Sequence, residues 1–248
     1  MITPDQKAFF LANGYLHLPG VLQGEDLTRY QSEFDRVWEL EGPPVGQNKL
    51  LKHPAFLELI EHPLLLGMHR AIFGSQVQLL QLDLLRQGPH SSFPVRSWHR
   101  DFVFPGDRPL SINSILYLDP MTEDRGPTYV VPGSHKEEEG PPRDRANEPL
   151  PGEVAGLAEA GDVIFINSSI WHSGGSNQTE GLRRGVYLYY GYWWLKRYDS
   201  MDPGKYATPW QALEGASQER LELLGLKMPG KDLHMYDLPT AADPIRPV

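Results

Sequence analysis

After Gly74 the sequence changes texture, and that change constrains the fold more than any other feature. Residues 77–86, 111–118, 129–131, 163–167 and 186–194 are short apolar and aromatic runs separated by glycine and proline. Runs of this length and composition read as strands. No helical segment separates each consecutive pair, which disfavours alternating β/α units. The expectation is a mainly β protein, an antiparallel sandwich of short strands with flanking helices.

The helices come first. In Thr3-Pro4-Asp5-Gln6, Thr3 can cap, Pro4 suits the first helical position and Gln6 can close a capping box. Asn13-Gly14 offers the stop, and Tyr15 to Leu18 suit a short strand. Leu27, Tyr30, Phe34, Val37 and Trp38 fall at helical spacing and predict an amphipathic helix over 25–40. His53-Pro54 and His62-Pro63 open two short helices ending near Gly74, with the histidines as caps. One domain over 1–248 is expected: a helical part to about residue 75, a core over 76–195, and a C-terminal wrap over 196–248 with a helix near 217–224. The charged, proline-rich stretch 136–151 reads as a solvated loop or as a lid over a site.

Composition removes several classes. Acidic residues outnumber basic ones 32 to 23, a formal charge of -9, which argues against a general binder of nucleic acid or anionic membrane. There is no cysteine, hence no disulfide, thiolate metal site or iron–sulfur ligand. The opening residues lack a basic region followed by an apolar run, and no stretch suits a membrane helix. A soluble, cytoplasmic protein is the expectation.

The chemistry concentrates in Trp98-His99-Arg100-Asp101, in Trp171-His172, and in Leu182-Arg183-Arg184-Gly185, with Arg183 eleven positions after His172. Alternate side chains of an extended segment share a face, so His99 and Asp101 can address one ion while Arg100 points away. His172 follows a turn and a buried strand, and Ser173-Gly174-Gly175-Ser176 after it allows close backbone approach. Two histidines and one carboxylate can hold three adjacent corners of an octahedral iron(II), leaving three for cosubstrate and oxygen. Zinc uses the same ligand types, so the ligands alone leave the metal open. A guanidinium fits the far carboxylate of a dicarboxylate such as 2-oxoglutarate, and either arginine has the chemistry. If Arg183 faces inward, strand parity puts Gly185, Tyr187, Tyr189 and Trp193 beside it, and Arg184, Val186 and Leu188 on the outer face. His135, in a Pro-Gly-Ser-His turn, is read as structural.

Together with Gly14-Tyr15, Val131-Pro132-Gly133-Ser134-His135, Gly161-Asp162 and Asn177, these residues resemble the phytanoyl-CoA dioxygenase family of iron(II)/2-oxoglutarate oxygenases over most of the chain. The resemblance implies a double-stranded β-helix, the cupin-like jelly roll. It implies iron(II), 2-oxoglutarate and O2, with His99, Asp101 and His172 as metal ligands. Arg183 stands at the family's spacing from His172, which favours it over Arg184 as the 2-oxoglutarate clamp. Further cosubstrate contacts carry over by position to Gln81 and to Asn113 or Ser114. Relatives often have a hydroxyl residue two after the distal histidine; here that position is Gly174, preceded by Ser173. Asp101 argues against halogenation, for which relatives replace the carboxylate by a small residue. The implied reaction is hydroxylation of an unactivated C–H bond of a small-molecule metabolite, with 2-oxoglutarate and O2 converted to succinate and CO2. Desaturation, epoxidation and ring closure would use the same ligands.

Aromatic and basic residues near the motif suggest a substrate pocket of Trp98, Arg100, Phe102, Phe104, Tyr187 and Trp193, with Arg86, Arg96 and Arg108 nearby. They suggest a metabolite with apolar carbon and an anionic or polar group, although the same aromatics would also serve as jelly-roll core. Two rival readings are a zinc-dependent cupin-like hydrolase or isomerase, which leaves Arg183 without a role, and a non-catalytic metabolite-binding protein, which needs no intact triad.

Overall fold

A computed structural model describes residues 2–197 and 201–228. The first helix, α1 (Pro4–Asn13), is framed as its sequence predicts. Thr3 Oγ1 accepts from Gln6 N at 3.1 Å, Gln6 Oε1 accepts from Thr3 N at 2.8 Å, and Gly14 closes the helix with φ 79°. After β1 (Tyr15–Leu18) come α2 (Gly24–Glu41), α3 (Gln47–Leu50), α4 (Pro54–Ile60) and α5 (Pro63–Phe73). His53 and His62 do precede α4 and α5, but neither side chain caps its helix. His53 is drawn instead to Glu41 at 3.1 Å and Arg36 at 3.2 Å, and His62 Nδ1 is buried without a hydrogen bond.

Seven strands follow: β2 (Val77–Gln87), β3 (Ser111–Tyr117), β4 (Thr128–Val130), β5 (Val154–Gly156), β6 (Val163–Asn167), β7 (His172–Ser173) and β8 (Arg183–Tyr192). One sheet has the order β1-β6-β3-β8-β2 and the other β5-β4-β7, all neighbours antiparallel. This is the jelly roll with flanking helices. β5 and β7 are too short to show alternation in the sequence. β8 stops at Tyr192, so Trp193 lies in the following turn and leaves the strand parity that would have aimed it inward.

Alternation sorts the large sheet into two faces. Ile112 and Leu116 of β3, Val163 and Phe165 of β6, and Val186, Leu188 and Tyr190 of β8 join Phe34, Phe56, Leu59 and Leu65 of the helices in one buried cluster. Ile115, Tyr117, Ile164 and Ile166 point the other way and meet Val130 and Met121 between the sheets. The outer face of the sheet is therefore the main core beneath the helices, and the inner face is left to build a site. Burying each of these side chains contributes roughly 1.5–3 kcal/mol before entropy is counted.

β2 changes parity partway. Its pairing with β8 slips between Leu79 and Gln81, so Leu80 is an extra residue. Val77 and Leu79 before the bulge, and Leu82 and Leu84 after it, all reach the helical core. The bulge thereby turns Gln81, Asp83, Leu85 and Gln87 to the inner face.

Beyond β8, α6 (Pro203–Tyr206) docks on α3: Gln47 Nε2 donates to Tyr206 O at 3.0 Å and Asn48 Nδ2 to Gly204 O at 2.6 Å. The predicted tail helix is α7 (Gln218–Leu223), capped by Ser217. Residues 198–200 and 229–248 of the expected wrap lie outside the described residues. No helix among the described residues is long and apolar enough to cross a membrane.

Candidate metal centre and cosubstrate pocket

His99 is brought to His172 by backbone, not by side chains. The two residues exchange both main-chain hydrogen bonds, each at 3.0 Å, in an antiparallel bridge beside β7. Asp101 N donates to Ser168 O at 2.9 Å, which fixes the third residue of the motif to the loop ahead of His172. The imidazole centroids are 4.2 Å apart. His99 Nδ1 sits 2.8 Å from Ser97 O, and His172 Nδ1 3.0 Å from Ile170 O. Each ring thus spends Nδ1 on a carbonyl and presents Nε2 as the free donor atom. Those Nε2 atoms stand 3.7 and 3.5 Å from Asp101 Oδ1.

The donor set fits a metal ion. One ligand atom from each of the three side chains lies within 4.8 Å of the others, a separation suited to convergence on one small ion at roughly 2.1 Å. Asp101 Oδ2 is buried without a hydrogen-bond partner, an arrangement that costs stability unless something charged meets it. Burial opposes charge on both Asp101 and His172, but their mutual attraction prevails: the carboxyl is held below its usual range and the His172 imidazole above. His99 goes the other way, lowered by burial and by the neighbouring His172. Its side chain is 52% exposed against 7% for His172, so the centre opens on the His99 side.

Arg183 and Arg184 part at the start of β8. Arg184 turns to the helical face, where its guanidinium holds Asp119 at 2.7 and 3.1 Å and Asp35 at 2.7 Å. Arg183 turns inward and is 2% exposed. Its Nε donates to Gly126 O at 2.9 Å and its Nη2 reaches Tyr187 Oη at 3.4 Å; no carboxylate among the described residues pairs with it. Burial works against its charge, while the Tyr187 and Tyr117 hydroxyls support it. The same burial pushes the Tyr117 phenol up to about 12. Gly126, at φ 71°, stands against Gly175 so closely that a Cβ there would lie 2.5 Å from the Gly175 carbonyl oxygen. That approach sets the carbonyl that holds Arg183.

His99, His172 and Arg183 line a single cavity of about 320 Å³, with Gln81, Asn113 and Tyr187 among its walls. Asn113 Oδ1 is buried there without a partner. Ser114 is not in it: β3 alternation places Ser114 on the opposite face, where its hydroxyl meets His69 Nε2 at 2.7 Å. Ser173 bridges the backbone, accepting from Ser97 N at 2.7 Å, and Gly174 lines the cavity.

The remaining pocket candidates go elsewhere. Trp98 and Arg100 border a second, separate opening of about 420 Å³ formed with residues 140–143. Trp98 packs with Tyr129 and Leu150 and donates to Glu148 O at 2.8 Å, because the 136–151 stretch folds back onto it. Phe102, Phe104 and Trp193 border neither opening, and Phe104 is exposed at the surface. Arg86 is paired with Glu39 at 3.0 Å, and Arg96 with Glu153 at 2.5 Å over the Tyr129 ring. Asp83, Gln87, Thr128 and Leu85 also line the cavity, although no motif marks them. The signal available was Gln81, Asp83 and Gln87, polar residues of one parity in a leucine-rich strand.

A family model for phytanoyl-CoA dioxygenase (PhyH) matches residues 10–185. The chain is 27% identical over 215 residues to dioxygenase trt7 of Aspergillus terreus, covering 75% of this chain and 72% of that one. It is 24% identical over 229 residues to L-proline trans-4-hydroxylase of Streptomyces griseoviridis, covering 74% and 84%. HygX of Streptomyces hygroscopicus, solved with nickel and 2-oxoglutarate bound, shares the fold at a TM-score of 0.68 and 23% identity, over 79% of this chain and 89% of that one. The family match runs from α1 to the strand that carries the inward arginine and takes in both histidines and the carboxylate, and the chain belongs to the phytanoyl-CoA dioxygenase (PhyH) family of non-haem iron(II)- and 2-oxoglutarate-dependent oxygenases.

Proposed function

We propose that His99, Asp101 and His172 hold the iron(II), that Arg183 clamps the far carboxylate of 2-oxoglutarate, and that the chain, acting as one domain in the cytoplasm, hydroxylates a C–H bond of a small-molecule metabolite. The observation that carries this is the buried Arg183, which has no carboxylate partner among the described residues and shares its cavity with His99 and His172, the two histidines of a convergent set completed by Asp101. A buried guanidinium is costly unless an anion meets it, and a planar carboxylate is the matching anion. Arg184, bonded to two aspartates, has no such need.

Iron(II) with 2-oxoglutarate and O2 supplies the oxidising power for attack on an unactivated C–H bond. The protein's part is positional. Arg183 and Tyr187 fix the far end of the cosubstrate, and Asn113 and Gln81 offer amide groups along its length. Leu85, Phe93 and Pro94 give the cavity an apolar rim.

An anaerobic titration with iron(II) and 2-oxoglutarate tests the reading through the weak visible absorption of the chelate. A band that requires both components and is lost in Arg183→Ala supports it. No band from folded protein, or one indifferent to Arg183, would overturn it.

A further inference from the structure

The cavity wall carries one charged side chain that iron and 2-oxoglutarate leave unused. Asp83 projects from β2 into the cavity, 6% exposed, below the rim of Leu85, Phe93 and Pro94. Gln81 Nε2 donates to Asp83 Oδ2, and the Tyr206 hydroxyl stands 3.4 Å from the same oxygen. Lys205 Nζ pairs with the buried Oδ1 at 2.9 Å. A carboxylate offers about four lone-pair sites, so with Gln81, Tyr206 and Lys205 in place it can still accept one more donor from the cavity. Lys205 is not a cavity residue. It comes from behind on α6, its stem packed so tightly over Gly46 that a Cβ there would meet Lys205 Cγ at 2.6 Å. This strut belongs to the chain beyond residue 185, past the segment the family model matches.

Charge in the cavity is otherwise spoken for. Iron(II), Asp101, Arg183 and the two carboxylates of 2-oxoglutarate balance one another. The arginines that could have greeted an anionic substrate are turned away: Arg86 and Arg96 are ion-paired outside the cavity, Arg100 borders the second opening, and Arg108 lines neither opening. What remains for the substrate is a carboxylate acceptor beneath an apolar rim.

We infer that Asp83 is a specificity-determining residue that binds a protonated amine of the substrate, whose apolar carbon skeleton lies against Leu85, Phe93 and Pro94. The inference rests on the iron and 2-oxoglutarate assignment above. Lys205 supports Asp83 from outside and competes with the substrate amine for it, so the two residues act in opposite directions.

The test uses the full chain as its anaerobic iron(II)/2-oxoglutarate chelate. Once the visible band is saturated in each protein, straight-chain alkylammonium ions and alkylcarboxylates of equal length are titrated and the shift of the band is followed. In the wild type the ammonium series shifts the band and the carboxylates do not. Asp83→Asn weakens ammonium binding tenfold or more, and Lys205→Gln strengthens it severalfold. A purely structural pair would weaken binding in both variants, and recognition of an anion by Lys205 would favour carboxylates and lose them in Lys205→Gln; either result overturns the inference. A wild-type band that ignores both series overturns it alone. Absence of the band before any probe is added overturns the metal and cosubstrate reading, and this inference with it.

Discussion

Arg183 and Arg184 are consecutive on β8, and the sheet separates their guanidinium groups into opposite electrostatic settings. Arg184 meets Asp119 and Asp35 beneath the helices. Arg183 is sealed inside the jelly roll with a carbonyl and a phenol for company. Parity chooses between two otherwise equivalent side chains, and the resulting difference separates an arginine paired with two aspartates from one buried without a carboxylate partner among the described residues.

Arg183→Ala should leave the protein folded and weaken 2-oxoglutarate binding by roughly 2–4 kcal/mol, about 30- to 1000-fold. Arg184→Ala should do the reverse: 2-oxoglutarate affinity close to wild type, with stability lowered by about 2 kcal/mol as Asp119 loses its partner. Anaerobic titration and urea unfolding measure the two effects. If Arg184→Ala carried the loss of affinity, the face assignment of β8 would be wrong.

An ion that binds only the folded state stabilises it by mass action. At a hundredfold excess over its dissociation constant, iron(II) or a redox-inert stand-in should add about 2.7 kcal/mol, or about 5–10 °C in Tm. Asp101→Ala and His172→Ala should abolish that shift and all iron-dependent turnover. Differential scanning fluorimetry with and without metal reads it directly, and a full shift in either variant would refute the ligand set.

His69 offers a pH test away from the site. It is fully buried among Phe73, Phe165 and Tyr190, and burial lowers its pKa from the usual histidine value to about 3. The unfolded chain takes up a proton below about pH 6.5 and the folded chain does not, so stability falls as pH drops from about 6.5 toward 3 and is unaffected above that window. Between pH 8 and pH 5 the loss from this group should be about 1–2 kcal/mol. His69→Gln, which has no proton to gain, should lose correspondingly less than the wild type in urea unfolding at the two pH values. An equal loss in both would show that His69 is not the source.

Gly126→Ala should damage the clamp without touching it. The residue sits at φ 71° with the Gly175 backbone where a methyl group would go. The loop must shift, and with it the carbonyl that receives Arg183 Nε. A stability loss of about 2 kcal/mol together with a tenfold weaker hold on 2-oxoglutarate is expected. A variant as stable as the wild type would mean that the loop has room to give.

Local physical chemistry made much of this chain readable. A capping box, a glycine stop and a 3.6-residue apolar stripe depend on neighbours a few positions away, so α1 and α2 could be read from the sequence. The family's spacing from His172, not strand alternation, favoured Arg183 over Arg184, and the His-x-Asp spacing put two donors on one side of an extended segment. β5 and β7 escaped because two or three residues make no period. The His53 cap failed because Glu41, twelve residues away, competes for its ring.

The sequence by itself therefore determined the longer helices and strands and the donor types of the candidate centre, and the family resemblance pointed to Arg183. Tertiary structure decided which neighbours were turned into the cavity. The bulge at Leu80 exists only in the pairing of β2 with β8, and it aims Gln81 and Asp83 inward. Pairing with Glu39 and Glu153 takes Arg86 and Arg96 away, and the folding of 136–151 onto Trp98 accompanies its separation from the metal cavity. Lys205 reaches Asp83 across more than a hundred residues because α6 docks on α3. Side-chain periodicity is a property of the local backbone, whereas register, ion-pair choice and the far wall of a cavity are set by whichever distant segments pack most favourably against it.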